Sequence, residues 1–174
     1  MWDFFETVRH RHSVRKYQSA SEIEAGKLHA VLEMACAAPS AGDLQAYQIT
    51  VIDDQATRDA LRDAAYDQTF ISEAPVCLVF SADPSRSAET FGERGASLYA
   101  IQDATIAATY AQLAIVAAGM GSTWVGNFDD AAVKKVLGDD DGLQPIAILS
   151  VGYPAELPEP TPRRHLDDVV KHFP

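Results

Sequence analysis

Cysteine and positive charge are what this chain has least of. Of its 174 residues two are Cys and fourteen are Lys or Arg, against twenty-five Asp and Glu, leaving a net charge of −11. Cys36 and Cys77 form no C-x-x-C pair, and neither stands beside a histidine at metal-ligand spacing, which argues against a disulfide framework and a zinc site. Cys36 falls in an Ala-rich helical pattern and Cys77 in an apolar strand pattern, so both are expected as small core residues. A surface this acidic repels nucleic acid and anionic membranes, so neither is expected as a partner. Asp outnumbers Glu and Arg outnumbers Lys, a bias compatible with a high-salt habitat and equally with an ordinary acidic protein.

Other absences exclude enzyme classes. The chain has no G-x-S-x-G, no H-E-x-x-H and no phosphate-binding Walker loop. Gly119-Met120-Gly121 follows a helical pattern and lacks a third glycine, which rules out a dinucleotide-binding turn. Met1-Trp2-Asp3-Phe4-Phe5-Glu6 lacks the charged start and apolar run of a secretory signal, so a cytoplasmic protein is expected. The Ala-rich stretch from Ser97 to Met120 is nearly uncharged, but Gln102, Asp103 and Gln112 interrupt it and no basic flank follows. It reads as a helix buried in a core or a dimer interface, not as a membrane span.

The remaining pattern fits one domain over residues 1–174. Asp3–Arg9 is a short amphipathic helix. Ser21 and Glu24 form a capping box for a helix whose core face is Leu28, Val31, Leu32 and Ala35, ending before Pro39. Strands are expected at Gln48–Ile52, Val76–Phe80, Thr123–Val125 and Pro145–Val151, with a charged helix at Ala56–Ala65 and one capped by Asp129 running to Leu137. A Pro-rich tail leads to a last amphipathic turn, Leu166–Val170. This order gives an α+β sandwich around a mixed sheet.

Two basic islands stand out. Arg9, Arg11, Arg15 and Lys16 place four of the fourteen cations within eight residues, with His10, His12 and Ser13 among them, and Arg163-Arg164-His165 forms the second island. Arginine's planar fork suits phosphate. On composition alone the islands read equally well as solvated side chains paired with the many carboxylates.

Four segments, in order, resemble the nitroreductase family. They are Arg11-His12-Ser13-Val14-Arg15, then Ala38-Pro39-Ser40-Ala41-Gly42-Asp43-Leu44-Gln45, then Gly119-Met120-Gly121-Ser122-Thr123-Trp124-Val125-Gly126, and last Pro162-Arg163-Arg164 ahead of Leu166-Asp167-Asp168-Val169-Val170. Tyr99–Asp103 opens the central helix in the same style. The resemblance implies a three-layer α/β/α sandwich around a mixed, mainly antiparallel sheet, in an intertwined homodimer with FMN at the subunit interface. It assigns Arg11, His12 and Ser13 to the phosphate, completed by Arg163 or Arg164, and Arg15 to the flavin N1 and O2 edge. Ser40, Asp43 and Gln45 would reach the flavin from the partner subunit, Gly126 and Asn127 would pass near N5, and Gln68 would contribute from the 58–75 region. The implied reaction is ping-pong transfer of two electrons from NAD(P)H to a small acceptor: a nitroaromatic, a quinone or another flavin. The competing reading is a flavin-binding protein without turnover, serving storage or regulation. This chain departs from the family pattern at Asp43, where Asn is usual, at Ala46-Tyr47 in place of Pro-Trp, and at Gly126, where some members carry Glu.

Overall fold

The computed structural model describes residues 3–18, 21–138 and 142–173; Met1 and Trp2, read above with the N-terminus, lie outside them. Eleven elements follow in order: α1 (Phe4–His10), α2 (Ala25–Cys36), β1 (Tyr47–Ile52), α3 (Gln55–Ala64), α4 (Phe70–Glu73), β2 (Val76–Ala82), α5 (Pro84–Arg94), α6 (Ala100–Ala117), β3 (Gly121–Val125), α7 (Asp130–Leu137) and β4 (Gln144–Gly152). The strands form one antiparallel sheet in the order β1-β2-β4-β3. Among the described residues its parallel component is a single bridge, Ser13 to Ser122.

Side chains alternate across the sheet and so create two cores. Leu78, Phe80, Leu149 and Val151 face α2 and α6, where Val31, Ala35, Ala107, Ala111 and Ile115 meet them. Cys77, Val79, Val125 and Ile148 face the other way, against Leu61, Ile71 and Val133 of α3, α4 and α7. Helices therefore cover both faces, giving the expected three layers. β2 is buried along its whole length because it is central and covered twice. The alanines at 107, 108 and 111 have no exposed surface and carry too little side chain to hold α6 away from the sheet.

Asp54, Asp83 and Asp129 cap α3, α5 and α7, each accepting a backbone N–H of the first turn. Gly119, at φ +79°, ends α6 in the left-handed region that favours glycine. Two expectations are corrected. The capping box at Ser21 does not form: α2 begins at Ala25 with Glu24 at its N-cap and no side-chain cap. Ser21 instead turns back on Gln18, its hydroxyl 3.4 Å from the Gln18 amide oxygen, and a local turn competes with a cap for the same hydroxyl. Cys36 is exposed whereas Cys77 is buried. The inward face of α2 runs through Val31 and Ala35, and one further residue rotates Cys36 about 100° away.

Candidate flavin site

The basic segment 11–17 lies extended along the outer edge of β3. The Val14 N–H donates to the Ser122 carbonyl at 3.1 Å, and the Thr123 hydroxyl donates to the Val14 carbonyl. The buried Tyr17 hydroxyl is 2.8 Å from the Val14 carbonyl and 2.7 Å from the Ser150 hydroxyl in β4. Burial pushes the Tyr17 phenol well above the ordinary tyrosine range, so it remains a donor. Two glycines admit the segment. A Cβ on Gly121 would come within 2.6 Å of Val14 Cγ2, and one on Gly152 within 2.7 Å of Tyr17 Cδ1. With Val14 and Tyr17 facing inward, Arg11, His12 and Ser13 remain half-buried and Arg15 exposed.

The cations of this segment are not equivalent. Lys16 pairs with Glu156 at 2.8 Å. Among the described residues the ion pairs are made by Lys16, Lys27, His29 and Arg62, and Arg11 and Arg15 make none. The Arg15 guanidinium lies over the Phe70 ring, 5.7 Å from its centre. Neutralisation by the chain's many carboxylates therefore does not account for Arg11 and Arg15. Two arginines outside the ion pairs, with a serine between them along one extended segment, are residue types suited to an anion.

The same rim carries the expected residues from two other loops. Gln68 donates to the Ala65 carbonyl at 2.9 Å and to the Asn127 carbonyl at 3.1 Å. It follows Tyr66 and Asp67, which both take positive φ, +56° and +58°. Gly126 and Asn127 follow β3 directly and are exposed. Phe70, under Arg15, packs against Val14, Tyr17 and Ala74. Arg11, His12, Ser13, Arg15, Gln68, Gly126 and Asn127 thus share the β3 side of the sheet.

Ser40, Asp43 and Gln45 do not. Their loop leads into β1, the opposite edge, three strand spacings or about 14 Å across the sheet. The Ser40 hydroxyl accepts the Gln45 N–H at 2.9 Å, and the Gln45 amide donates to the Asp43 carboxylate at 2.9 Å. Gly42, Asp43 and Gln45 all have positive φ, +57°, +56° and +46°. Ser40 and Ala41 open onto a cavity of about 520 Å³ shared with Tyr99, Gln102 and Asp103 of the α6 region. Arg163 and Arg164 are exposed and bond within their own tail, to the Thr161 and Asp168 carbonyls. Among the described residues no hydrogen bond or ion pair joins them to the Arg11 segment, and residues 159–173 are exposed throughout.

Two contributors escaped the sequence reading. Tyr17 is one; its signal was an aromatic closing a basic run. Asp103 is the other, a carboxylate 2% exposed in an otherwise uncharged helix. It accepts the Ala41 N–H at 2.9 Å and the Ala46 N–H at 3.3 Å.

Known proteins are similar to this chain over most of its length. The family model described as Nitroreductase family matches residues 8–73 and 65–153. A protein named NADH dehydrogenase from Thermus thermophilus is 32% identical, over 92% of this chain and 91% of its own length. FMN reductase (NADPH) from Bacillus subtilis is 26% identical, over 91% of this chain and 68% of its own. The structure of NADPH:FMN oxidoreductase from Vibrio harveyi, complexed with NAD+, superposes with a TM-score of 0.88 at 26% identity, covering 97% of this chain and 76% of that one. With its model matched over most of the length and a relative above 30% identity along nearly all of it, the chain belongs to the nitroreductase family.

Proposed function

We propose that this protein is an FMN-dependent oxidoreductase that moves two electrons from NAD(P)H to a small acceptor, a nitroaromatic, a quinone or a flavin, in ping-pong order. The observation that carries this reading is the extended segment at the edge of β3 that places Arg11, Ser13 and Arg15 together in a chain of net charge −11, with neither arginine in an ion pair among the described residues. The family membership and the flavin-reductase names of relatives support it.

Bound FMN would supply the electron relay, accepting hydride and passing it on. The chain supplies binding, orientation and electrostatics. Arg11 and Ser13, with His12 beside them, offer donors to a phosphate. Arg15 brings a fixed cation, which stabilises negative charge arriving on a reduced ring. Gly126 has no side chain to obstruct a ring, and the Asn127 backbone is fastened by Gln68. Ser40, Asp43 and Gln45 complete the site from a second copy, because one chain keeps them at the far edge of its own sheet. The exposed tail carries Arg163 and Arg164 to that second copy. An apolar face made by Phe4, Met34, Tyr110 and Leu113 stands open in the single chain and suits the same association. No described helix is long and apolar enough to cross a membrane, and we place the enzyme in the cytoplasm.

The test is anaerobic mixing of the purified yellow protein with NADH or NADPH. Rapid bleaching, with FMN and not FAD released on denaturation, is the expected result. A yellow protein that neither nucleotide bleaches is a flavin carrier without turnover. A colourless protein that fails to bind added FMN refutes the reading entirely.

A further inference from the structure

We propose that Asp103 is a positioning residue of the flavin site: its buried carboxylate, reaching from the first turn of α6, clasps both ends of the Ser40–Ala46 loop and holds it in the conformation that presents Ser40, Asp43 and Gln45. The proposal rests on the flavin reading of that loop.

Asp103 is the one ionisable side chain of α6 apart from Tyr110, and it is almost wholly buried. No ion pair involves it among the described residues. Burying a carboxylate away from water without a cation is strongly unfavourable unless hydrogen bonds satisfy it. Its two oxygens are given to the backbone of one loop, Oδ1 to the Ala41 N–H and Oδ2 to the Ala46 N–H. These two amides bracket the left-handed residues Gly42, Asp43 and Gln45. Left-handed backbone at a non-glycine residue persists only where the surroundings over-determine it, and such strain gathers at binding sites. The other ties on the loop do not reach α6: the Ser40 hydroxyl accepts the Gln45 N–H, Arg86 donates to the Leu44 carbonyl at 2.6 Å, and the Asp83 N–H donates to the Ala46 carbonyl at 2.9 Å. Among the described hydrogen bonds the carboxylate is what joins the loop's two ends to the rigid central helix. A neutral residue cannot replace it in kind, because an Asn side chain carries one acceptor oxygen and turns an NH₂ toward the second amide.

The experiment compares wild-type protein with Asp103→Asn, using FMN and riboflavin as probes. The ratio of their affinities reads the phosphate contacts of Arg11 and Ser13, whereas the loop acts on the ring that both share. Asp103→Asn is expected to weaken both ligands by roughly five- to tenfold, leave their ratio unchanged, and shift the visible absorption band of the bound flavin. It is also expected to make apoprotein cleavable before Asp43 by an Asp-specific endoprotease. Affinities within twofold of wild type with an equally resistant loop overturn the proposal, as does a changed FMN-to-riboflavin ratio, which signals general loosening. Hydrogen exchange in the wild-type apoprotein needs no variant and decides the matter if the Asn protein does not fold. The Ala41 and Ala46 amides should exchange more slowly than Gly42; equal rates refute the clasp. If wild-type protein binds neither flavin, the functional reading falls, while exchange and proteolysis still report on the clasp.

Discussion

Replacing Tyr17 by Phe removes one oxygen from the network that holds the basic segment to the sheet. The ring stays, packed against Gly152, so the change isolates the hydroxyl. In the native protein that hydroxyl donates to the Val14 carbonyl and lies 2.7 Å from the Ser150 hydroxyl, whose residue has no exposed surface. The Val14 carbonyl keeps the Thr123 hydroxyl as donor; Ser150 loses its side-chain partner on Tyr17. Leaving a buried polar group unmatched costs about 1–3 kcal/mol, which for a domain of this size, at about 2–4 °C per kcal/mol, lowers Tm by roughly 2–12 °C. Flavin affinity should fall several-fold because Arg11 and Ser13 are carried by the loosened segment. Adding Ser150→Ala removes the orphan, so the double variant should be less destabilised than the sum of the two single changes. The pH dependence has a definite sign. Burial raises the Tyr17 phenol above its ordinary value of 10.0, so the hydroxyl's contribution is complete below pH 10, where the unfolded chain is also protonated. Above pH 10 the unfolded chain ionises first, and the stability gap between wild type and Tyr17→Phe narrows. Urea melts across pH 7–11 measure this. A Tm within 1 °C of wild type, strict additivity in the double variant, or a gap that widens above pH 10 would refute the reasoning.

Two glycines separate folding from binding. Gly121→Ala drives a Cβ to 2.6 Å from Val14 Cγ2, and should cost about 1–3 kcal/mol through overpacking, read by thermal melts. Gly126→Ala meets only the Trp124 indole at 3.4 Å, so Tm should hold while flavin titration shows weaker binding; unchanged affinity would move the ring away from Gly126. Asp43 has the Gln45 amide as partner and no cation among the described residues, so Asp43→Asn should raise the flavin midpoint potential by about 30 mV or more, where 30 mV is about 1.4 kcal/mol for two electrons. Spectroelectrochemical titration checks it, and an equal or lower potential would mean that the carboxylate does not face the ring.

The elements legible in the sequence were those whose signals are local. β1, β2 and β4 were apolar runs, α7 had Asp129 as its cap, and α6 was long and alanine-rich. α5 was not anticipated, although Asp83-Pro84 is a strong helix start: Asp83 caps the Arg86 N–H at 3.0 Å, and the helix breaks its own pattern at Gly92, φ +59°. The short α4 has too few residues for a period to show. For the site, the order of four motifs pointed to the family, and the basic run pointed to an anion. Partnering could not be read that way. Lys16 and Arg15 are adjacent in sequence, yet only Lys16 meets a carboxylate, from 140 residues away. Asp103 was legible only as an interruption of an apolar helix, because the amides it holds lie about sixty residues earlier.

The central claim is that each flavin is held by the Arg11–Arg15 segment of one copy and the Ser40–Gln45 loop of another. Subunit complementation tests it directly. One subunit carries Arg11→Ala with Ser13→Ala, the other Ser40→Ala with Gln45→Ala, each expected to bind FMN weakly as a homodimer. Co-expressed under two affinity tags and purified as the mixed dimer, they combine one intact site with one doubly altered site. The account predicts that the mixed dimer binds about one FMN per two chains at wild-type affinity. A mixed dimer in which both sites stay as weak as in the parent homodimers would contradict it.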